Sequence, residues 1–339
     1  MSVQQEFTYT SNATAGEIAQ RLRGGSDVLL LTHTKPDGDA IGSCLALHRG
    51  LRQIGIGSRI LLAGPVDSNL KSIANSDDRI RHVEEAGLPD AEPDLIVILD
   101  TGACSQLEPF VEWLAPRQAK VIGIDHHARG DNVASMRLVE VTCAAATEVL
   151  VPILEELGVE IARDAIAEAL FLGLATDTGW FQFSNAGPKV FTLVARLLEA
   201  GADKDALYSR IEQQSSLARV KMQARALATL RLVKDSTIAM MRLGPEDFSE
   251  TGARLEELAG IVNEPMEIGS VRASILFVEF DSGTTKLSFR SKPGTEGLPG
   301  IDVNELAARF GGGGHVHAAG ARIKASLDAA VAQVEAELG

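Results

Sequence analysis

Four short apolar runs dominate the first half of the chain: Val28–Leu31, Arg59–Leu62, Leu95–Leu99 and Val121–Ile124. They lack the apolar/polar alternation of a half-exposed strand, so they fit strands buried on both faces of a parallel sheet. Stretches of helical period lie between them. The clearest is Ile41–Ile54, where Ile41, Leu45, Leu47 and Leu51 recur near helical spacing. Strands alternating with helices predict an α/β fold built on an open, doubly wound, mainly parallel sheet.

From Thr147 the pattern turns helical. "TEVLVPILEELG" stops at Gly158, and "ARDAIAEALFLGLATDTG", "KVFTLVARLLEAG" and "LARVKMQARALATLRLV" read as successive helices. The tail changes again: "STIAMMRL", "VRASILFVEF" and "TTKLSFR" read as strands, the last two as a hairpin around "DSG". "VNELAARF" and "SLDAAVAQVEAEL" read as helices. The expected organisation is a first domain over 1–188, a helical connector over 189–235 and a smaller α/β domain over 236–339. A length of 339 residues suits two domains.

Charge narrows the partners. A net charge of −14 argues against a long nucleic-acid duplex, whose binding needs a basic face. A small anion held by metals or a few local cations stays open. No run of 18 or more apolar residues predicts a membrane span, and "MSVQQEFTYTSNATAGE" lacks the pattern of a secretory signal. Cys44, Cys104 and Cys143 have no CxxC spacing and fit reduced thiols in a cytoplasmic protein.

The chemistry gathers at strand ends. His33 follows the first run, with Asp37 and Asp39 in the next loop. Asp100 ends "LIVILD"; Asp125, His126 and His127 end "VIGIDHH"; Asp177 ends an apolar helix in "GLATDTG". Each has a plainer explanation alone, since "PDGDA" also suits a turn and a helix cap. Together they place carboxylates and imidazoles on the rim where open α/β sheets bind ligands. Clustered carboxylates repel unless protonated or neutralised by cations. The four charges of Asp37, Asp39, Asp100 and Asp177 balance two divalent ions. His33 and His126 add nitrogen ligands suited to manganese, iron, zinc or cobalt rather than calcium. Two such ions, roughly 3.5–4 Å apart, are an arrangement for phosphoryl chemistry.

The residues "HTKPDGDAIGS", "ILDTG", "IDHHARGDN" and "GLATDTGWF" resemble, in order, the four motifs of the DHH phosphoesterase superfamily. "FRSK" and "GGGGHVHAAGA" resemble its DHH-associated C-terminal domain, within the branch of compact nanoRNase/pAp phosphatases. The resemblance implies one metal held by His33, Asp37 and Asp100, and a second held by Asp39, Asp100, His126 and Asp177. Asp100 then bridges, and manganese is the preferred ion. It implies that His127 faces the substrate phosphate, and that Asp125 orients a histidine from behind. The catalytic set is thus His127, Asp37 and Asp125. A substrate clamp is expected from Arg290, Ser291, Gly312, Gly313, Gly314 and His315, with His317 a further candidate. The glycine run lets backbone approach a ligand and offers amides to an anion. Phe289 and Phe310 are expected in the core, leaving little base stacking. Many members carry Asn three residues after the second His; here that position is Gly130, which puts a phosphate contact from that loop in doubt.

The function implied is hydrolysis of short single-stranded oligoribonucleotides to nucleoside monophosphates, with removal of the 3′ phosphate of adenosine 3′,5′-bisphosphate beside it. A linear or cyclic dinucleotide phosphodiesterase is the alternative. A homodimer fits the resemblance.

Overall fold

The computed structural model describes residues 7–281, 283–295 and 300–338. The chain divides into two compact units, Met1–Gln214 and Ser215–Gly339.

The first unit is built on six parallel strands: β1 (Asp27–Leu31), β2 (Gly57–Leu62), β3 (Ile80–His82), β4 (Leu95–Leu99), β5 (Val121–Asp125) and β6 (Met136–Val139). Their order across the sheet is β3-β2-β1-β4-β5-β6. Alternation along a strand sends successive side chains to opposite faces. Val28 and Leu30 of β1 therefore join one core, and Leu29 and Leu31 join another. β4 repeats the division, with Leu95, Val97 and Leu99 on one face and Ile96 and Ile98 on the other. Both faces are covered, and every residue of β4 and β5 is buried. The expected parallel α/β sheet is observed. β3 and β6 were not foreseen; each is short and carries an arginine, Arg81 or Arg137, so neither presents a continuous apolar run.

The helix expected over Ile41–Ile54 runs Gly38–Gln53. It starts early because Asp37 caps it, accepting from the amides of Asp39 and Ala40 at 3.1 Å each. Arg49, in its middle, is fully buried beside Asp78. Its guanidinium grips both carboxylate oxygens of Asp78, at 2.9 and 2.8 Å, and donates to the Ala165 carbonyl at 2.9 Å.

The second unit holds a mixed sheet of β7 (Arg231–Val233), β8 (Ile238–Leu243), β9 (Ala273–Asp281), β10 (Thr284–Ser291), β11 (Gly313–His315) and β12 (Ala318–Ile323). The order is β11-β12-β10-β9-β8-β7, antiparallel except between β8 and β9. The expected hairpin is β9–β10; Ser282 of its "DSG" turn lies outside the described residues. The helix expected through "LARVKMQARALATLRLV" stops at Ala228, and Arg231–Val233 turns into edge strand β7. The Thr229 side chain makes the switch, donating to Ala226 O and accepting from the Arg242 amide of β8. Of the segment 189–235, the helices Pro188–Glu199 and Lys204–Ile211 fall in the first unit, and Leu217–Ala228 with β7 in the second. Among the described residues no helix is long and apolar enough to cross a membrane.

Removing one partner of a buried pair leaves the other charge uncompensated, at a cost of about 3–5 kcal/mol. Asp78→Ala is therefore expected to lower unfolding free energy by that amount, measured by urea denaturation. A loss under about 1 kcal/mol would mean that Arg49 finds other acceptors.

Candidate active site

Strand order in the first sheet reverses between β1 and β4, and ligands of open α/β sheets sit outside the strand ends at such a point. The candidate residues converge there. His33 lies two residues beyond β1, and its Nε2 is 3.4 Å from Asp100 Oδ2 and 3.9 Å from Asp37 Oδ1. Asp100 directly follows β4 with φ of +62°, a left-handed conformation that Asp tolerates better than most residues. Asp125 is the last residue of β5, and His126 and His127 follow. His126 Nε2 stands 3.5 Å from Asp100 Oδ1, 3.6 Å from Asp177 Oδ2 and 3.9 Å from Asp39 Oδ2.

Close helix packing brings Asp39 and Asp177 together. The helices Gly38–Gln53 and Ile166–Asp177 meet along glycines. A Cβ on Gly42 would lie 2.4 Å from the Ala169 carbonyl, one on Gly38 2.3 Å from Thr176 Oγ1, and one on Gly173 2.4 Å from Asp39 Oδ1. Asp39 is wholly buried and accepts from the amides of Ala146 and Thr147 and from the Thr147 hydroxyl.

Like charge in a dry site perturbs titration. Burial and neighbouring Asp100 push the Asp39 carboxyl well above its usual range. Burial raises Asp177 to about 6 against the opposing pull of His126. Burial alone would lower His33 and His126, but the carboxylates around them prevail and raise each to about 9. Burial also acts to raise Asp125, yet hydrogen bonds from His127 and Tyr9 hold it below the usual carboxylate range.

The donors suit cations. Three groups, His33–Asp37–Asp100, Asp39–His126–Asp177 and Asp100–His126–His127, each place ligand atoms within 4.8 Å of one another. Asp100 Oδ1 and His126 Nε2 are fully buried without a hydrogen-bond partner, though buried polar atoms normally have one. A cation between them satisfies both.

One contact was not foreseen. The Tyr9 hydroxyl donates to Asp125 Oδ2 at 2.7 Å, and Asp125 Oδ1 bonds His127 Nδ1 at 2.8 Å. Gly130 leaves room for the Tyr9 ring; a Cβ there would lie 2.6 Å from it. The only local signal for Tyr9 is an aromatic in a polar N-terminal stretch.

The expected clamp residues lie in the second unit. Register places Arg290 of β10 and His315 of β11 on either side of Ala318 of β12, side chains on one face. Arg290, Ser288 and Lys286 line a cavity of about 300 Å³. Ser291 Oγ pairs with His317 Nδ1 at 2.9 Å. The glycines allow close strand approach rather than a cradle of free amides. Gly311 and Gly312 donate to the helix Val303–Ala308, and Gly314 donates to Asn304 Oδ1 at 2.8 Å. A Cβ on Gly312 would lie 2.1 Å from Gly320 O. Phe289 is buried, as expected.

The sequence profile of the DHH family, N-terminal domain, matches residues 27–174, and that of the DHHA1 domain matches 235–339. The chain is 30% identical over 308 residues to the bifunctional oligoribonuclease and PAP phosphatase NrnA of Thermus thermophilus, covering 91% of this chain and 87% of that protein. Its identity to the Bacillus subtilis protein of the same name is 25% over 301 residues, covering 87% and 89%. The crystal structure of an exopolyphosphatase-related protein from Bacteroides fragilis aligns with a TM-score of 0.82 at 25% identity, covering 95% and 94%. The chain belongs to the DHH family and is a phosphoesterase of that metal-dependent class.

Gly42→Ala tests the glycine seam. Overpacking against backbone costs about 1–3 kcal/mol, which outweighs the roughly 1 kcal/mol that Ala gains over Gly in a helix. Lower Tm with weaker divalent-ion binding by calorimetry is the expected pair of results. A stabilised variant with unchanged ion binding would remove the seam from the site's construction.

Proposed function

We propose that this protein hydrolyses short single-stranded oligoribonucleotides from an end, releasing nucleoside monophosphates, and removes the 3′ phosphate of adenosine 3′,5′-bisphosphate. The observation that carries this reading is the buried, unpartnered pair Asp100 Oδ1 and His126 Nε2 amid four carboxylates at the sheet's switch point. The curated relatives named as bifunctional oligoribonuclease and PAP phosphatase support the choice of substrate.

His33, Asp37 and Asp100 would hold one divalent ion, and Asp39, Asp100, His126 and Asp177 a second; mixed nitrogen and oxygen ligands suit manganese, iron, zinc or cobalt, and the family resemblance favours manganese. Bound there, divalent ions supply Lewis acidity toward phosphoryl oxygen and lower the pKa of water. His127 is half-exposed, and its Nδ1 is held by Asp125. That hydrogen bond also raises the His127 pKa, and in the protonated imidazolium Nε2–H is left to donate to a phosphoryl oxygen or to the departing ester oxygen as the P–O bond breaks. Arg290 offers a planar fork to a terminal phosphate, and Ser291 with His315 would complete the clamp, Gly312, Gly313 and Gly314 serving to seat β11 closely on β12 beside them. Local cations suffice for a ligand of a few nucleotides, so an acidic chain is no obstacle. We assign it to the cytoplasm, as a homodimer.

The test is a manganese-supplemented assay of pApA, adenosine 3′,5′-bisphosphate, a long RNA and cyclic di-AMP. Fast turnover of the first two and slow loss of the long RNA is expected, with His127→Ala reducing kcat about 10²–10⁴-fold. Turnover confined to cyclic di-AMP would replace this reading with the dinucleotide one.

Protons and cations compete for the site, so pH gives a second check. Groups whose folded pKa is raised stabilise the metal-free protein at low pH, and lose that effect as pH rises through the folded value. For Asp177 that value is about 6, and for His33 and His126 about 9. The Tm gain on adding manganese is expected to grow as pH rises across this range. A gain independent of pH would contradict the ligand assignment.

A further inference from the structure

Residues Phe7–Ala13 lie along the edge of the first sheet, and Phe7 and Thr10 to Ala13 are tied to β6. Val139 exchanges hydrogen bonds with the Ser11 hydroxyl at 2.8 Å in each direction. The amides of Asn12 and Ala13 donate to Arg137 O, and the Arg137 amide donates to Asn12 Oδ1 at 2.7 Å. The Arg137 side chain donates to Thr10 O at 2.9 Å and covers the Phe7 ring at 4.8 Å. This strap carries Tyr9 into a hollow left by two missing side chains. A Cβ on Gly102 would lie 2.0 Å from the Tyr9 hydroxyl, and one on Gly130 2.6 Å from its ring.

We infer that Tyr9 is a positioning residue for His127, acting through Asp125; the inference rests on the phosphohydrolase reading. Asp125 is fully buried, and its Oδ1 already accepts from the His126 amide at 2.8 Å, the His127 amide at 3.2 Å and His127 Nδ1 at 2.8 Å. The Tyr9 proton on Oδ2 fixes the remaining oxygen, so the carboxylate cannot rotate. That matters because His127 Nδ1 has a second acceptor within reach, Asp100 Oδ1 at 3.8 Å. With Asp125 locked, Nδ1 stays on the Asp125 side, Nε2 stays turned to substrate, and Asp100 is left to its other partners. Orienting partners of this kind are typically worth about 10–100-fold in activity or metal affinity.

Tyr9→Phe keeps the ring in its hollow and removes only the hydroxyl. On pApA, kcat is expected to fall about 10-fold, with KM and manganese affinity unchanged and Tm lowered only as one lost buried hydrogen bond requires. Gly130→Ala, which displaces the ring, is expected to lose kcat similarly, and the double variant to lose no more than either single one, the mark of a shared path. Nitrogen-15 imidazole spectra of the metal-free protein, taken where His127 is neutral, should show the Nδ1–H tautomer in the wild type and a mixture in Tyr9→Phe. Wild-type kcat and tautomer in Tyr9→Phe would overturn the inference. So would a loss of kcat that adds to that of Gly130→Ala with the wild-type tautomer retained. If the wild type turns over none of the nucleotide substrates, the functional reading fails, and the tautomer comparison alone decides the role of Tyr9.

Discussion

Asp37, Asp39, Asp100 and Asp177 meet around His33 and His126, with Asp39 wholly buried and Asp100 only 3% exposed. Asp39 and Asp100 are out of water while Asp37 and Asp177 reach it, and carboxylates this close cannot all ionise unless something positive answers them. In the protein alone, protons do so: Asp39 and Asp177 hold theirs above the usual carboxylate range, and the two imidazoles stay charged to about 9. Divalent cations are the other answer, and the unpartnered atoms of Asp100 and His126 fit that use. This conflict of like charges is costly to folding, and the rest of the first unit is arranged to bear it.

The parallel sheet supplies rigidity. β1, β4 and β5 are packed on both faces, so their carboxyl ends cannot drift, and the loops after them start from fixed points. The two helices that bring Asp39 and Asp177 approach each other more closely than side chains would allow, and glycine makes that approach possible. Hydrogen bonds finish the work: Asp39 is oriented by the Ala146 and Thr147 amides, and Asp125 by Tyr9 and the two histidine amides. The second unit uses glycine differently. Its run Gly311–Gly314 presses β11 onto β12, leaving a small-residue face with Arg290 and His315 on either side of Ala318.

Much of this was legible in the residues. The four apolar runs became β1, β2, β4 and β5 because continuous burial leaves a continuous apolar pattern. The acidic and histidine residues expected at strand ends are at strand ends, for the same reason that the strands were visible. β3, β6 and β7 were not, since short edge strands with arginines are defined by their neighbours' hydrogen bonds and not by their own composition. Arg231–Val233 continues a helical period yet pairs with β8, tertiary contact overriding local preference. The glycine run invited a ligand-cradle reading, because sequence records a missing side chain without saying what fills the space.

What the sequence by itself determined is the alternation of strand and helix and the set of side chains at the strand ends, since both follow from local periodicity and from chemistry concentrated at a few positions. Only the tertiary structure decided which of those side chains share an oxygen, how near the helices come, and that Tyr9 reaches Asp125 across 116 residues of sequence. Contacts between distant segments depend on distances of a few tenths of an ångström. No local pattern of residues encodes those distances, because they are set by the packing of everything between.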